Sequence, residues 1–216
     1  MKKYFCLSVL LLSTIFVAAQ QAVFADGSPV KEIKYSDIIG SELYNTEWWN
    51  AEVLLTNGAR YNLLVKYNLY VDELFFKSDN QAMSFVVPVR EFVFKESSNS
   101  ATAFFRNGYP ANDGFSDKTF YQVLVDGKVQ LLRKLSKQVI ETKDFNSSIV
   151  KKRFADLSKF YSFRDNQFYQ LKRDKSGILN VFSDKSNEVS KYISDNKINL
   201  KKDDGLVKVF NYYNSL

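Results

Sequence analysis

Turn signals between segments of alternating apolar and polar residues constrain this sequence more than any other feature. Asn57-Gly58 and Asp126-Gly127 each separate two such segments. Both pairs suit two-residue type I′ turns, whose central residues need positive φ, and these turns join antiparallel strands. A third signal at Asp165-Asn166 predicts a hairpin that sets Phe163 opposite Phe168. The sequence therefore predicts a fold made mainly of β-hairpins.

The first hairpin carries a prediction of register. A two-residue turn at 57–58 pairs Leu54 with Tyr61 and puts Leu63 and Val65 on the same buried face. The next segment, "YNLYVDELFF", alternates as one strand and carries aromatic residues on both faces. This pattern predicts a strand that is covered on both sides.

Further segments extend the sheet. The second hairpin, "FYQVLVDGKVQLLRKL", brings Phe120, Leu124, Val129 and Leu131 to one face, and Pro88 between two apolar runs suits an edge or a bulge. The predicted fold is mainly β (α+β), an antiparallel meander of about eight or nine short strands that forms a curled sheet, a sandwich or a partly open barrel. Residues 137–160 fit either a short helix or a long strand with a loop.

The C-terminal region changes its hydrophobic period from two to that of a helix. Two amphipathic helices are predicted at about residues 185–216, and they are expected to pack on the protein's own sheet rather than on a partner or a membrane. Ser183 or Asp184 is the expected cap of the first helix, and Asp203 or Asp204 that of the second. The apolar stripes consist of Val189, Tyr192 and Ile193, and of Leu206, Val209, Phe210 and Tyr213.

The first 25 residues have the pattern of a secretory signal peptide. A basic start, "MKK", is followed by the apolar run "YFCLSVLLLSTIFVAA" and by small residues that suit cleavage after Ala19 or Ala25. Cys6, the sole cysteine, lies in this segment, so the mature chain is expected to contain no thiol or disulfide. The prediction is an exported protein, periplasmic or associated with the outer membrane or extracellular, with one β-rich domain at 26–216 and no transmembrane span.

The charge pattern is mildly basic, with a formal net charge of +6. Basic residues cluster in "VKKRF", "LRKLSK" and "LKRDK", and they are interpreted as a solvated surface rather than as a site for phosphates or anionic lipids. Nucleic acid is not an expected partner of an exported chain. An envelope protein remains a candidate partner.

The residues needed for common catalytic sites are scarce. The sequence has no histidine and no Gly-rich phosphate loop. The adjacent carboxylates Asp72 and Glu73 are expected to point to opposite faces of a strand, which disfavours a hydrolase with paired carboxylates. The prediction is a non-enzymatic protein with no cofactor and no metal site.

Aromatic residues at loops and strand ends are the candidate binding residues. Trp48 and Trp49 precede the first hairpin, and Tyr109 and Phe115 lie in the polar segment "RNGYPANDGF". Exposed rings of this kind stack on sugars or fill pockets of a partner, whereas buried ones would only complete the core. The sequence therefore predicts a binding or accessory component of the cell envelope, with a carbohydrate- or small-ligand-binding module as the alternative.

Several segments also resemble those of one protein family. The signal peptide, "KYNLYVDELFFK", "YQVLVDGKVQLLRK" and the ending "DKSNEVSKYISDNKINLKKDDGLVKVFNYYNSL" are similar to an uncharacterised family of exported Bacteroidota proteins with no assigned activity. The similarity covers most of the chain after the signal peptide, and its motifs are turns and helix stripes. The resemblance implies an envelope or secreted location and supplies no functional residues.

Overall fold

The computed structural model describes residues 27–30, 35–95, 101–143 and 150–216. These residues form one mixed β-sheet, which does not close into a barrel, and three α-helices, so the predicted mainly β fold with C-terminal helices is confirmed. The described part contains twelve strands, more than the sequence predicts. The predicted signal peptide and Cys6 lie outside the described residues.

The first half of the sheet is an antiparallel meander with one crossover. Strands β3 to β6 follow one another towards one edge, where β1 pairs with β6. The chain then returns to the opposite side of β3, where β7 and β8 continue the sheet. The strands are β1 Gly27–Pro29, β2 Ile38–Ile39, β3 Trp49–Leu55, β4 Arg60–Asn68, β5 Glu73–Ser78, β6 Gln81–Phe85, β7 Val89–Lys95 and β8 Ala101–Arg106.

The second half of the sheet is dominated by one long hairpin. Two strands cover most of residues 137–160, so the strand interpretation of that segment is confirmed and the helix interpretation is wrong. The short β2 pairs with β11 in parallel, which makes the sheet mixed rather than wholly antiparallel. The strands are β9 Tyr121–Val125, β10 Gln130–Lys143, β11 Val150–Arg164 and β12 Gln167–Gln170.

The first hairpin differs from its predicted register by one residue. Tyr61 pairs with Val53 and not with Leu54, because the connection is a three-residue turn closed by the Leu55 amide and the Ala59 carbonyl, 2.9 Å apart. Gly58 takes a φ of +88°, as required of the last residue in such a turn. The shift in register does not change which face of β4 is buried, because Tyr61 and Val65 still point towards the core.

Two further turn predictions have opposite outcomes. Asp165 and Asn166 take φ values of 52° and 61°, and Phe163 pairs with Phe168, so the third hairpin is confirmed. The Asp126-Gly127 connection is wrong as a two-residue type I′ turn, because Gly127 does not take a positive φ and the loop spans residues 126–129.

The segment 67–76 is two strands and a turn rather than one strand. The Asn68 Oδ1 atom accepts hydrogen bonds from the amides of Tyr70 and Val71 at 2.9 and 3.2 Å, which reverses the chain. Asp72 completes the turn with a φ of 60°. These local hydrogen bonds form a turn inside a segment whose alternating residue pattern would otherwise suit one continuous strand.

The buried residues form three clusters along the sheet. A first core is formed by residues of strands β3 to β8 and includes Tyr67, Phe92 and Phe105. A helix-side core joins β9–β11 to the helices, and an aromatic cluster occupies the other face of these strands. Phe120 packs in the first core and Leu131 in the helix-side core, so the single face predicted for the second hairpin is wrong.

The helices cover one face of the second half of the sheet. The second predicted stripe is confirmed, since Leu206 and Phe210 are buried in the helix-side core. In the first stripe Val189 and Ile193 are buried there, whereas Tyr192 is half-buried and stacks on another tyrosine. The sequence analysis missed the first helix, which Asp174 caps by accepting from the Gly177 amide at 2.8 Å. The helices are α1 Lys175–Val181, a 3-10 turn Ser183–Lys185, α2 Ser186–Asp195 and α3 Asp203–Asn214.

The predicted caps of the last two helices are wrong. Lys185 and Lys202 occupy the N-cap positions without a side-chain hydrogen bond, and Asp203 lies inside the first turn of α3. The Asp203 carboxylate instead pairs with Arg133 at 2.5 Å and with Arg173 at 2.9 Å. Both oxygens of the Asp203 carboxylate are therefore engaged in long-range ion pairs rather than in capping the helix.

Candidate ligand-binding cleft

A cleft of about 560 Å³ lies on the outer face of β4 and β5, opposite the first core. Alternation along the two strands produces its floor: Tyr67 and Leu74 point into the core, and the residues directly before and after each of them point outwards. Residues from the segment 35–48 line the opposite side of the cleft, and this segment is called the roof. The floor includes Lys66, Asn68, Glu73, Phe75 and Ala82, and the roof includes Tyr35, Ser36, Gly40, Glu42, Leu43 and Trp48.

Asn45 fastens the roof segment to the sheet. This buried side chain donates from Nδ2 to the carbonyls of Val65 and Glu47 at 3.0 and 2.7 Å, and its Oδ1 accepts from the Tyr67 amide at 3.2 Å. The amide of residue 44 also donates to the Tyr67 carbonyl. Because Trp48 follows this anchor by three residues, its indole is held beside β4.

Aromatic contacts fix both ends of the cleft. The Lys66 Nζ atom lies 5.1 Å from the centre of the Trp48 ring, a cation–π distance. Tyr35 packs edge to face against Tyr70 and Phe154, with ring centres 5.7 and 5.3 Å apart. The second contact reaches β11, so the roof touches both halves of the sheet.

The polar groups of the cleft include acceptors and donors. Glu73 accepts a hydrogen bond from the Ser84 hydroxyl at 3.0 Å, which orients its carboxylate. The Asn68 oxygen is engaged by the turn amides, so its NH₂ group is the part suited to donate to a ligand. Burial, followed by the charge of Glu42, raises the pKa of Tyr35 above its ordinary value, which keeps the phenol a neutral donor.

The structure brings one of the four predicted binding residues into this cleft. Trp48 lines it. Trp49, the next residue, is 43 % exposed and packs instead against Tyr44 and Phe94. The two indoles diverge because neighbouring residues at the start of a strand point to opposite faces.

Tyr109 and Phe115 lie elsewhere, in a loop folded against β9–β11. Tyr109 is only 6 % exposed and donates to Gln130 at 2.9 Å, so the expectation of an exposed ring is wrong for this residue. Burial raises its pKa to about 12. Phe115 is half-buried between Lys134 and Lys159, whose Nζ atoms lie 5.8 and 5.6 Å from its ring centre.

Sequence reasoning missed most of the cleft, although one signal pointed to it. Aromatic residues on both faces of 67–76 predicted a doubly covered strand, and the outward Phe75 lies under the roof segment. No sequence pattern marks the roof residues Tyr35 and Glu42 as part of a cleft, because the tertiary fold, and not their neighbours in the sequence, places them beside β4.

Basic residues of "LRKLSK" lie close to carboxylates. Arg133 pairs with Asp203, Lys134 with Asp72, and Lys137 with Asp156. The predicted solvated surface is wrong for Lys134, whose side chain is only 3 % exposed, and the carboxylate partners leave these groups less suited to bind an external anion.

The described residues contain neither a candidate metal-binding group nor a helix that could cross a membrane. Residues 27–30, 35–95, 101–143 and 150–216 contain no group of three or more acidic, histidine or cysteine side chains that could hold a metal ion. Among the helices of that part of the chain, none is long and apolar enough to cross a membrane.

Comparisons with protein-family models, with curated proteins and with solved structures give no match. The resemblance to an exported Bacteroidota family stays a prediction, and the functional proposal depends on the geometry of the cleft.

Proposed function

We propose that the protein is an exported, non-enzymatic binding component of the cell envelope and that the cleft beside Trp48 holds its ligand. One observation carries the proposal: an indole ring and polar side chains of both signs, Glu42, Glu73 and Lys66, line a single concave space of about 560 Å³. That volume falls in the range of small-ligand sites, which combine apolar walls with a few placed polar groups.

The chemistry of the lining favours a carbohydrate. A sugar presents C–H faces that pack on aromatic rings, and hydroxyl groups that both donate and accept hydrogen bonds. Trp48 and Phe75 supply the rings, the two carboxylates accept, and Lys66 and Asn68 donate. Two carboxylates against one ammonium group favour neutral sugars or amino sugars over acidic ones.

Export is the second part of the proposal. It rests on the basic and apolar N-terminal pattern, from which a mature chain beginning near Gln20 or Asp26 is expected. Intact-mass measurement of protein extracted from the native envelope tests this. Retention of Met1 or Cys6 would contradict cleavage.

A matched pair of variants tests the ligand site. The full chain is applied to an array of neutral, amino-sugar and acidic oligosaccharides, and the Kd of bound glycans is measured by calorimetry. Trp48→Ala is expected to weaken binding by about tenfold or more, as the loss of an aromatic anchor does at other binding sites. Trp49→Ala is the control, because its ring lies outside the cleft.

Three outcomes would overturn the site. They are an array with no bound glycan, equal losses in the two tryptophan variants, and preferential binding of acidic glycans.

A further inference from the structure

Lys134 is a basic residue buried inside the protein. Its side chain is 3 % exposed, and its Nζ atom lies 2.8 Å from the Oδ1 atom of Asp72. The same nitrogen donates to the carbonyl of Phe120 at 3.3 Å. Burial lowers the pKa of Lys134, while the Asp72 carboxylate acts in the opposite direction. Burial thus makes the neutral amine of Lys134 more accessible than it is in water.

Two donors hold the Asp72 carboxyl group in place. The Tyr67 hydroxyl donates to Oδ1, and the Phe120 amide lies 3.4 Å from Oδ2. Tyr67 is fully buried, and its pKa is raised well above the ordinary value by burial and by Asp72, so its phenol stays a donor. The donors that could stabilise charge on the carboxyl oxygens and the amine that could attack its carbon are therefore assembled together.

We infer that Lys134 and Asp72 form an intramolecular isopeptide bond in the folded protein. A proton passes from the ammonium group to the carboxylate, which leaves an amine and a carboxylic acid. The amine nitrogen bonds to Cγ of Asp72, the C–OH bond breaks, and the hydroxyl leaves with a proton from nitrogen as water. The reaction consumes no oxidant, reductant or other reactant.

The surrounding groups have defined parts in this reaction. Hydrogen bonds from Tyr67 and from the Phe120 amide stabilise the negative charge that develops on oxygen in the tetrahedral intermediate. The Phe120 carbonyl orients the nitrogen. Tertiary contact in the native fold is required, since Asp72 lies in the β4–β5 turn and Lys134 on β10.

The bond would provide a covalent link that cysteine does not supply. The sequence contains one cysteine, so an intramolecular disulfide cannot form. The isopeptide bond closes a loop that contains β5 to β9 and ties the turn of the first half of the sheet to the long hairpin of the second. Such a closure restricts the unfolded chain as a disulfide does.

A nearby ion pair provides an internal control. The Lys137 Nζ atom lies 2.8 Å from Asp156, the same separation as in the Lys134 pair, but the Asp156 side chain is 81 % exposed. Water stabilises that ion pair as charges, so it is not expected to condense. Proximity alone would predict the same reaction in both pairs.

Peptide mapping of the folded full chain tests the inference. Trypsin cuts after Lys66, Lys77, Arg133 and Lys137, and it does not cut after an acylated lysine. The expected product is residues 67–77 joined to residues 134–137, with an intact mass lower than that of the linear chain by one water. A cyclic imide at Asp126-Gly127 also removes water, but it maps to a different peptide.

Variants separate the cross-link from other dehydrations. Lys134→Arg and Asp72→Ala are expected to keep the full mass and to migrate more slowly on a denaturing gel. Asp72→Asn is expected to lose ammonia and to give the same product as the parent. Tyr67→Phe is expected to slow cross-linking by about 100-fold, as the loss of one oxyanion donor does.

The parent chain alone can overturn the inference, so it does not depend on whether the variants fold. Recovery of only linear 67–77 from the folded, aged chain would show that Lys134 and Asp72 remain an ion pair. A cross-link at Lys137 and Asp156 would show that burial is not the cause.

Discussion

Asn214, in the last turn of α3, makes two hydrogen bonds with the backbone of Val129. Its Oδ1 accepts from the Val129 amide, and its Nδ2 donates to the Val129 carbonyl, both at 2.9 Å. A β-carbon at Gly127 would lie 2.5 Å from that nitrogen. Gly127 therefore permits a close approach of the helix to the β9–β10 loop, whereas the sequence suggested that it supplied a positive φ.

The first prediction concerns this contact. Asn214→Ala leaves both backbone groups of Val129 without their partner, so the free energy of unfolding is expected to fall by about 1 to 3 kcal/mol. Denaturant titration measures the change.

A double-mutant cycle tests the role of Gly127. Gly127→Ala is expected to cost less stability in the Asn214→Ala background than in the parent, because the obstructing amide is gone. Gly58→Ala is the control, since nothing lies within 4 Å of a β-carbon there. Equal costs of Gly127→Ala in both backgrounds would contradict the close approach.

Gly58→Val is expected to destabilise the protein by about 1 to 3 kcal/mol through backbone strain. The φ of +88° is unfavourable for a β-branched residue, although the site has open space. A denaturant midpoint equal to that of the parent would mean that the turn does not need this conformation.

Phe210→Ala is expected to cost about 3 to 5 kcal/mol, as for other buried phenylalanines. The ring is fully buried in the helix-side core, with its centre 4.9 Å from that of Phe182. Leu216→Ala, at an exposed position on the same terminus, is the control and is expected to leave the melting temperature nearly unchanged. A parental melting temperature for Phe210→Ala would favour a helix that docks on a partner.

Two buried tyrosines offer a contrast between an unpartnered and a partnered hydroxyl. Within the described residues, the Tyr121 hydroxyl has no hydrogen-bond partner, whereas that of Tyr161 donates to Asp113 at 2.7 Å. Tyr121→Phe is expected to be neutral or to stabilise by about 1 kcal/mol, and Tyr161→Phe to destabilise by a similar amount. Thermal melts of both variants measure the difference, and an equal loss in both would contradict the assignment.

The loop that carries Asp113 is expected to loosen in acid. Hydrogen bonds from Lys159 and Tyr161 hold the pKa of Asp113 below its ordinary value. A lowered pKa in the folded state gives stabilisation that is complete above the unfolded pKa, about 4, and is lost as pH falls through the folded value. The protection factors of the 107–118 amides, which correct for the pH dependence of intrinsic exchange, should fall below about pH 4. Asp113→Asn should remove that pH dependence.

Local features of the sequence account for much of the fold. The stripes of Leu206 and Phe210 on α3 and the turn at Asp165-Asn166 were predictable, because periodicity and turn preference act over a few neighbouring residues. The mainly β class follows from the same patterns. The missed helix α1 had such a signal in Asp174, a cap residue at its start.

Only the tertiary structure decided the placement of the functional candidates. It put Trp48 in a cleft and Trp49 outside it, because Tyr35 and Glu42 are brought to the side of Trp48, whereas Trp49 packs against Phe94. The Asp203 carboxylate forms ion pairs with two arginines instead of capping the helix, and Lys134 is buried against Asp72. Each of these contacts joins residues far apart in the chain, so their energies depend on how the sheet curls and where its strands meet, which local patterns do not encode.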